Sequence, residues 1–302
     1  MINILHISDL HFGPYFVPHV AEALLKKLFD LKADIIINSG DYTQRARREQ
    51  YEEARNFNQR LPRLPRIDIP GNHDVPLYRI FERLFSPYRL YKEYISAELD
   101  QVVRHENAVI VALNSTQPYR AIVNGRVRQS QLDLCARVFK DVPPAVLKIV
   151  VAHHHFAPAP DYEGGQVMPE AKRAIDRFNQ LKVDLILGGH MHRAYIGNSL
   201  DVYPGIDREH GIIIVQSGTS TSRRGRARER EKNSFNYLQI EQDIVRVTHY
   251  MFFEDASGFE PVSRHIFPRV GRHYLVDAPP AALPEPREVP RDQDLRPPVP
   301  GR

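Results

Sequence analysis

The chain has 302 residues, of which 42% are hydrophobic and 26% charged, an ordinary globular mix with length for one large core or two small domains. A single cysteine, Cys135, excludes an intramolecular disulfide, and no run approaches the roughly 18 apolar residues of a membrane span. The formal charge of +4 is equalled by residues 223–232 alone, with six positive and two negative side chains, which argues against a broad nucleic-acid footprint.

Residues 2–7 alternate and are rich in β-branched side chains, so a strand is expected there. The start of the chain is too short and polar for a secretory h-region. A cytoplasmic protein without a membrane partner is therefore expected, and the cysteine usage agrees with a reducing compartment. The first strand ends in a polar loop, Ser8-Asp9-Leu10-His11. Val20, Leu24, Leu25, Leu28 and Leu31 have helical spacing. Asp34–Ser39 reads as a buried parallel strand ending at Gly40-Asp41. Residues 47–61 read as a helix, with Arg45, Arg47 and Arg48 at its exposed start. Ile67–Ile69 then forms a short strand that stops at Gly71-Asn72-His73-Asp74. This strand–helix alternation predicts an α/β fold whose strand ends collect polar groups.

The stretch 75–100 reads as irregular helix covering the flank of that site. Residues 102–113 read as a hairpin ending at Asn114-Ser115, and 129–140 as a helix with Cys135 on its apolar face. Leu147–Ala152 is a further buried strand, ending in His153-His154-His155. After a helix over 169–181, Val183–Leu187 is a strand ending in Gly188-Gly189-His190-Met191-His192. Beyond it the helical periodicity is lost. Residues 199–203, 211–217, 234–241 and 244–253 read as antiparallel strands. From about 276 the composition turns to proline and charge without apolar periodicity. The expected organisation is a catalytic domain over 1–275 and a disordered, Pro-rich tail over 276–302.

Five strand ends thus carry Asp, Asn or His. Oxygen and imidazole donors without thiolate suit manganese, iron, zinc, nickel or cobalt. They are too many for one ion, and a pair of ions about 3.5–4 Å apart is the usual device for in-line phosphoryl displacement.

In order, Asp9-x-His11, Gly40-Asp41, Gly71-Asn72-His73-Asp74, His153/His154 and Gly189-His190-x-His192 resemble the five motifs of the calcineurin-like metallophosphoesterases. Their spacing resembles the small bacterial members, including class III cyclic-nucleotide phosphodiesterases. The resemblance covers about residues 1–255. It implies a four-layer αββα sandwich, two mixed β-sheets flanked by helices, and two divalent transition-metal ions (manganese, ferrous or ferric iron, or zinc). It assigns one ion to Asp9, His11 and His192, and the other to Asn72, His190 and either His153 or His154. Asp41 bridges the two. The family often has His-His-Pro where this chain has three histidines and Phe156, which leaves the choice between His153 and His154 open.

The reaction so implied is hydrolysis of a phosphodiester or phosphomonoester by a metal-bridging hydroxide, on a small nucleotide-like or cyclic-nucleotide substrate. His73 faces the leaving group, and Asp74 either orients its imidazole or caps the turn. Arg223 and Arg224 are candidate phosphate ligands. Asn114 either lines the pocket or caps its strand, and His6 is expected in the core. A nuclease of the same superfamily is the alternative function, and a non-catalytic scaffold of the same fold is the third.

Overall fold

The computed structural model describes residues 1–120, 122–158, 167–203, 211–226 and 229–269. The expected Pro-rich tail lies outside them, as do residues 227 and 228 of the basic loop.

β1 (Ile2–Ile7) is the hub of the first sheet. It pairs in parallel with β2 (Ile35–Asn38), which pairs in parallel with β3 (Arg66–Asp68). On its other side come the antiparallel strands β10 (Ser234–Ile240), β11 (Ile244–Phe253) and β12 (Gly258–Pro268). The second sheet runs in the order β4 (Gln101–His105), β5 (Ala108–Leu113), β6 (Leu147–Ala152), β7 (Leu185–Gly188), β9 (Ile213–Gln216) and β8 (Tyr195–Asn198). β5, β6, β7 and β9 are parallel, and β4 and β8 are antiparallel edges.

The period of two along each strand divides its apolar residues between two cores. Ile2 and Ile4 of β1, Ile35 and Ile37 of β2, and Leu185 and Leu187 of β7 meet in the core between the sheets. Leu5, Ile7 and Ile36 face outward under α1 (Pro18–Asp30) and α2 (Arg48–Arg60). Ile186 and Val150 face outward under α5 (Gln129–Phe139) and α6 (Ala171–Gln180). The layers are therefore helix, sheet, sheet, helix, as the resemblance implies. Cys135 is buried in the outer core of the second sheet, where desolvation pushes its thiol up to about 12.

Two expectations are corrected. Residues 199–203 are not a strand: Ser199–Val202 forms the short helix α7, with the Asn198 side chain accepting from the Leu200 N–H at 2.9 Å. The strand of that region is β8, just before it, and β9 runs parallel to β7. The stretch 75–100 divides into α3 (Ile80–Phe85) and α4 (Arg89–Tyr94). α4 buries Leu90, Tyr91 and Tyr94 against the first sheet's outer core, whereas α3 buries nothing.

Candidate metal centre

The five polar strand ends do not lie on one sheet. β1, β2 and β3 present Asp9, His11, Asp41 and Asn72 from the first sheet, while β6 and β7 present His153, His190 and His192 from the second. The site is the seam where the carboxyl ends of both parallel runs meet.

Asp9, His11, Asp41 and His192 offer ligand atoms that all lie within 4.8 Å of one another, and all four residues are buried. The His11 and His192 Nε2 atoms face each other at 2.9 Å, and Asp9 Oδ1 is 3.1 Å from His192 Nε2 and 3.5 Å from His11 Nε2. Beside this group, Asn72 Oδ1 is 3.1 Å from His153 Nε2 and 2.9 Å from His190 Nδ1. Asp41 Oδ2 stands between the groups, 3.7 Å from His11 Nε2 and 3.4 Å from His153 Nε2.

Each carboxylate has one oxygen pinned and one bare. Asp9 Oδ2 accepts from Ser8 Oγ at 2.7 Å and from the His190 N–H at 3.0 Å. Asp41 Oδ1 accepts from the His73 N–H at 2.8 Å. Asp9 Oδ1 and Asp41 Oδ2 are buried without a hydrogen-bond partner. A bare carboxylate oxygen out of water is costly unless a cation meets it. The imidazoles are aimed by their far nitrogens: His153 Nδ1–H donates to the Ser39 carbonyl at 2.8 Å, and His192 Nδ1–H to the Arg224 carbonyl at 3.1 Å. That leaves their Nε2 lone pairs directed at the cluster, as metal-ligating histidines require. His154 packs its ring 4.7 Å from that of His190 with its Nδ1 2.8 Å from Ser115 Oγ, whereas it is the His153 Nε2 that faces the Asn72 and Asp41 oxygens.

The backbone is shaped for the same end. Of ten non-glycine residues with positive φ among those described, five are Asp9, His11, Asp41, His190 and His192. Left-handed backbone at such residues costs about 1–3 kcal/mol each and collects at functional sites. Gly71 is required for closeness rather than for a turn conformation, since its φ is an ordinary −100°. A Cβ there would collide with the Asp41 carboxylate.

The charges are coupled. Burial pushes the Asp9 and Asp41 carboxyls up, but the surrounding imidazoles hold both well below the usual range. Burial would lower the His153 imidazole, yet Asp41 beside it raises it to about 9. The opposite balance holds at His11, where burial prevails and the ring falls to about 3.

His73 stands at the rim. Its Nδ1–H donates to the Gln44 carbonyl at 2.9 Å, so Nε2 accepts from the Arg224 guanidinium at 3.1 Å. Burial, and Arg224 against the pull of Asp41, lower its pKa. Arg224 also donates to Gln44 Oε1 at 2.9 Å. Arg223, by contrast, is exposed. Asp74 does not hold the imidazole: its oxygens accept from the Gly71, Tyr42 and Thr43 N–H groups at 2.9, 3.1 and 2.9 Å, stapling two loops together. Asn114 is a strand-end cap, its Oδ1 accepting from Thr116 N and Oγ1 at 3.0 and 2.7 Å. His6 is buried in the core, 3.0 Å from Ser39 Oγ, and desolvation lowers it to about 3. Gln44, Ser8 and Ser39 complete the site and were not read from the sequence. Ser39 acts through a backbone carbonyl, which has no sequence signature, and Gln44 carried no motif.

The profile of the calcineurin-like phosphoesterases matches residues 2–194. The chain belongs to the calcineurin-like phosphoesterase family. Membership places it among the metal-dependent phosphoric ester hydrolases. The fold is similar to that of a purple acid phosphatase from yellow lupin (Lupinus luteus) seeds, at a TM-score of 0.61 and 11% identity over 88% of this chain. The chain spans 53% of that protein, about half its length. It is also similar to a dimetal phosphatase from Danio rerio (TM-score 0.58, 11% identity, 89% of this chain and 99% of the other) and to PhoD (0.62, 11%, 87% and 71%). No curated protein matches the chain in sequence. The donor set fits the family's divalent metals: nitrogen and oxygen atoms only, two bare carboxylate oxygens, and imidazole lone pairs converging on them. Among the described residues no helix is long and apolar enough to cross a membrane.

Proposed function

We propose that this calcineurin-like phosphoesterase is a dinuclear phosphodiesterase acting on a small nucleotide-like ester, a cyclic nucleotide included. In this reading Asp9, His11 and His192 hold one ion, Asn72, His153 and His190 hold the second, and Asp41 is shared. Residues 1–275 are then the catalytic domain. The observation that carries it is the bare Asp41 Oδ2, placed between His11 and His153 at 3.7 and 3.4 Å. When bound, two divalent ions would acidify a water between them and draw charge from the phosphoryl oxygens.

The chain's own residues supply the rest. Arg224 meets the His73 Nε2 and no carboxylate among the described residues. An arriving phosphoryl group offers the guanidinium a better acceptor, because planar N–H pairs suit phosphate oxygens. Removing that cation from Nε2, and placing a negative group there, raises the proton affinity of His73. The ring, held by the Gln44 carbonyl, then delivers a proton from Nε2 to the departing alkoxide as the bond from phosphorus to that oxygen breaks. Such general acid help is worth about 10²–10⁴-fold, most where the leaving group is a poor alkoxide. This supports a diester over an aryl monoester.

The test is a panel assayed on metal-reconstituted protein: cyclic nucleotides, an alkyl aryl phosphodiester, nucleotide monoesters and single-stranded DNA. Cyclic nucleotides or the diester should give the highest kcat/KM. Monoesters in first place would overturn the diester preference, and DNA in first place would replace the reading by a nuclease.

A further inference from the structure

α3 is built inside out. Its charged side chains turn toward the protein: Arg79 donates to the Ala46 carbonyl at 2.6 Å and pairs with Glu82 at 3.1 Å. Arg83 donates to the carbonyls of Pro118 and Arg120. Its apolar side chains turn to solvent, with Ile80 63%, Phe81 79% and Phe85 80% exposed. Leu77, Tyr78 and Leu84 extend the same surface, so nine consecutive positions hold six of the fourteen large exposed apolar side chains among the described residues. Tyr119 lies exposed between Pro118 and Arg120, whose carbonyls Arg83 ties to the helix, and Val123 is exposed as well. Single exposed apolar residues are ordinary, whereas a contiguous set marks an interaction surface.

Cations border this surface. Arg45 lies over the Tyr78 ring, 4.9 Å from its centre. Arg45, Arg83 and Arg120 meet no carboxylate among the described residues, and Glu82, on the inner side, is already paired with Arg79. Two copies of the chain meeting here would bring these arginines against one another, which disfavours a symmetric dimer. The apolar side chains of α3 project to solvent, which suits a soft phase better than a rigid partner. A protruding apolar and aromatic surface with an arginine border is the chemistry of insertion into an anionic lipid interface.

We propose that α3, with Tyr119 and Arg120 beside it, docks the protein on anionic lipid bilayers, with Phe81 and Phe85 entering the boundary between headgroups and acyl chains and Arg45 and Arg120 meeting lipid phosphates. The surface abuts the candidate metal centre through Gln44, Arg45 and Ala46, so docking would hold the site beside the headgroup layer. The proposal is independent of the substrate reading above. The contact is interfacial and requires no spanning helix, none being found among the described residues.

The experiment is co-sedimentation of the full chain with vesicles of equimolar phosphatidylglycerol and phosphatidylcholine, against vesicles of phosphatidylcholine alone. Binding should favour the anionic vesicles and weaken as salt is raised. Phe81→Ser and Phe85→Ser should each weaken it about tenfold, and Arg120→Gln about fivefold. All three variants should keep the wild-type melting temperature and the turnover of a soluble diester. Absence of vesicle binding by the wild type would overturn the proposal, as would variants that bind as well as the wild type. A dimer in light scattering that Phe81→Ser dissolves, without vesicle binding, would overturn it in favour of a second copy. Capture of an acidic protein without vesicle binding would do so in favour of a protein partner.

Discussion

The strand-end loops bury polar groups, and α3, a few residues further on, exposes apolar ones. Six of the seven candidate ligands are buried, two of them as carboxylates with a bare oxygen. In α3 no side chain is buried, although four of its six residues are large and apolar. The loops accept a desolvation cost and five left-handed backbones, and α3 forgoes about 1.5–3 kcal/mol for each apolar side chain left in water. Neither arrangement is explained by folding alone. The first is completed by a cation, the second by an apolar phase. Departures from the ordinary partition of side chains therefore mark function in both directions.

The comparison breaks first at Asp41. Asp41→Ala removes the shared oxygen, so bound metal should fall from about two ions per chain to one or fewer, and turnover should vanish with it. Elemental analysis after gel filtration reads the first effect. An Asp41→Ala protein that keeps two ions would remove the bridge from the account. His73→Ala comes next: it should retain both ions and lose about 10²–10⁴-fold in kcat, a division that steady-state kinetics and metal analysis on one sample would expose.

A smaller effect concerns the buried polar region without metal. His6 is neutral in the fold, its pKa lowered from 6.5 to about 3 by burial. The unfolded chain takes up a proton below 6.5 while the folded one does not. The contribution of neutral His6 is thus fully present above pH 6.5 and is lost as pH falls toward 3. The slope is at most about 1.4 kcal/mol per pH unit. Urea unfolding of chelated protein should show a shallower acid loss in His6→Asn than in the wild type across that window. An identical slope would place the titration elsewhere. The smallest effect is at α3, where Phe81→Ser should change stability by less than about 0.5 kcal/mol. A loss of several kcal/mol would mean that the side chain is packed in solution.

Much of this architecture could be read from sequence because strands that end in glycine and polar residues announce both an element and its terminus. Gly40-Asp41 and Gly189-His190 are examples. What sequence could not supply was sheet membership: β2 and β7 are both four-residue buried runs with three successive aliphatic residues, yet they lie in different sheets. Ser39 and Gln44 escaped because they orient His153 and His73 through carbonyls that any residue possesses. From sequence Asp74 either orients His73 or caps the turn, and its carboxylate takes the second role, accepting from N–H groups across the turn. α3 shows the limit most plainly. Leu77, Phe81, Leu84 and Phe85 have helical spacing, and such spacing shows that a helix is two-faced without showing which face turns inward. The same stretch that reads as a cover for the site presents its apolar side to solvent.

The central claim is that the buried seam holds two cations that share Asp41. The most direct measurement is the number of transition-metal ions per chain, by elemental analysis of wild-type protein reconstituted and freed of excess metal. About two are expected in the wild type and in His73→Ala, and one or fewer in Asp41→Ala. One ion in the wild type, or two in all three proteins, would contradict it.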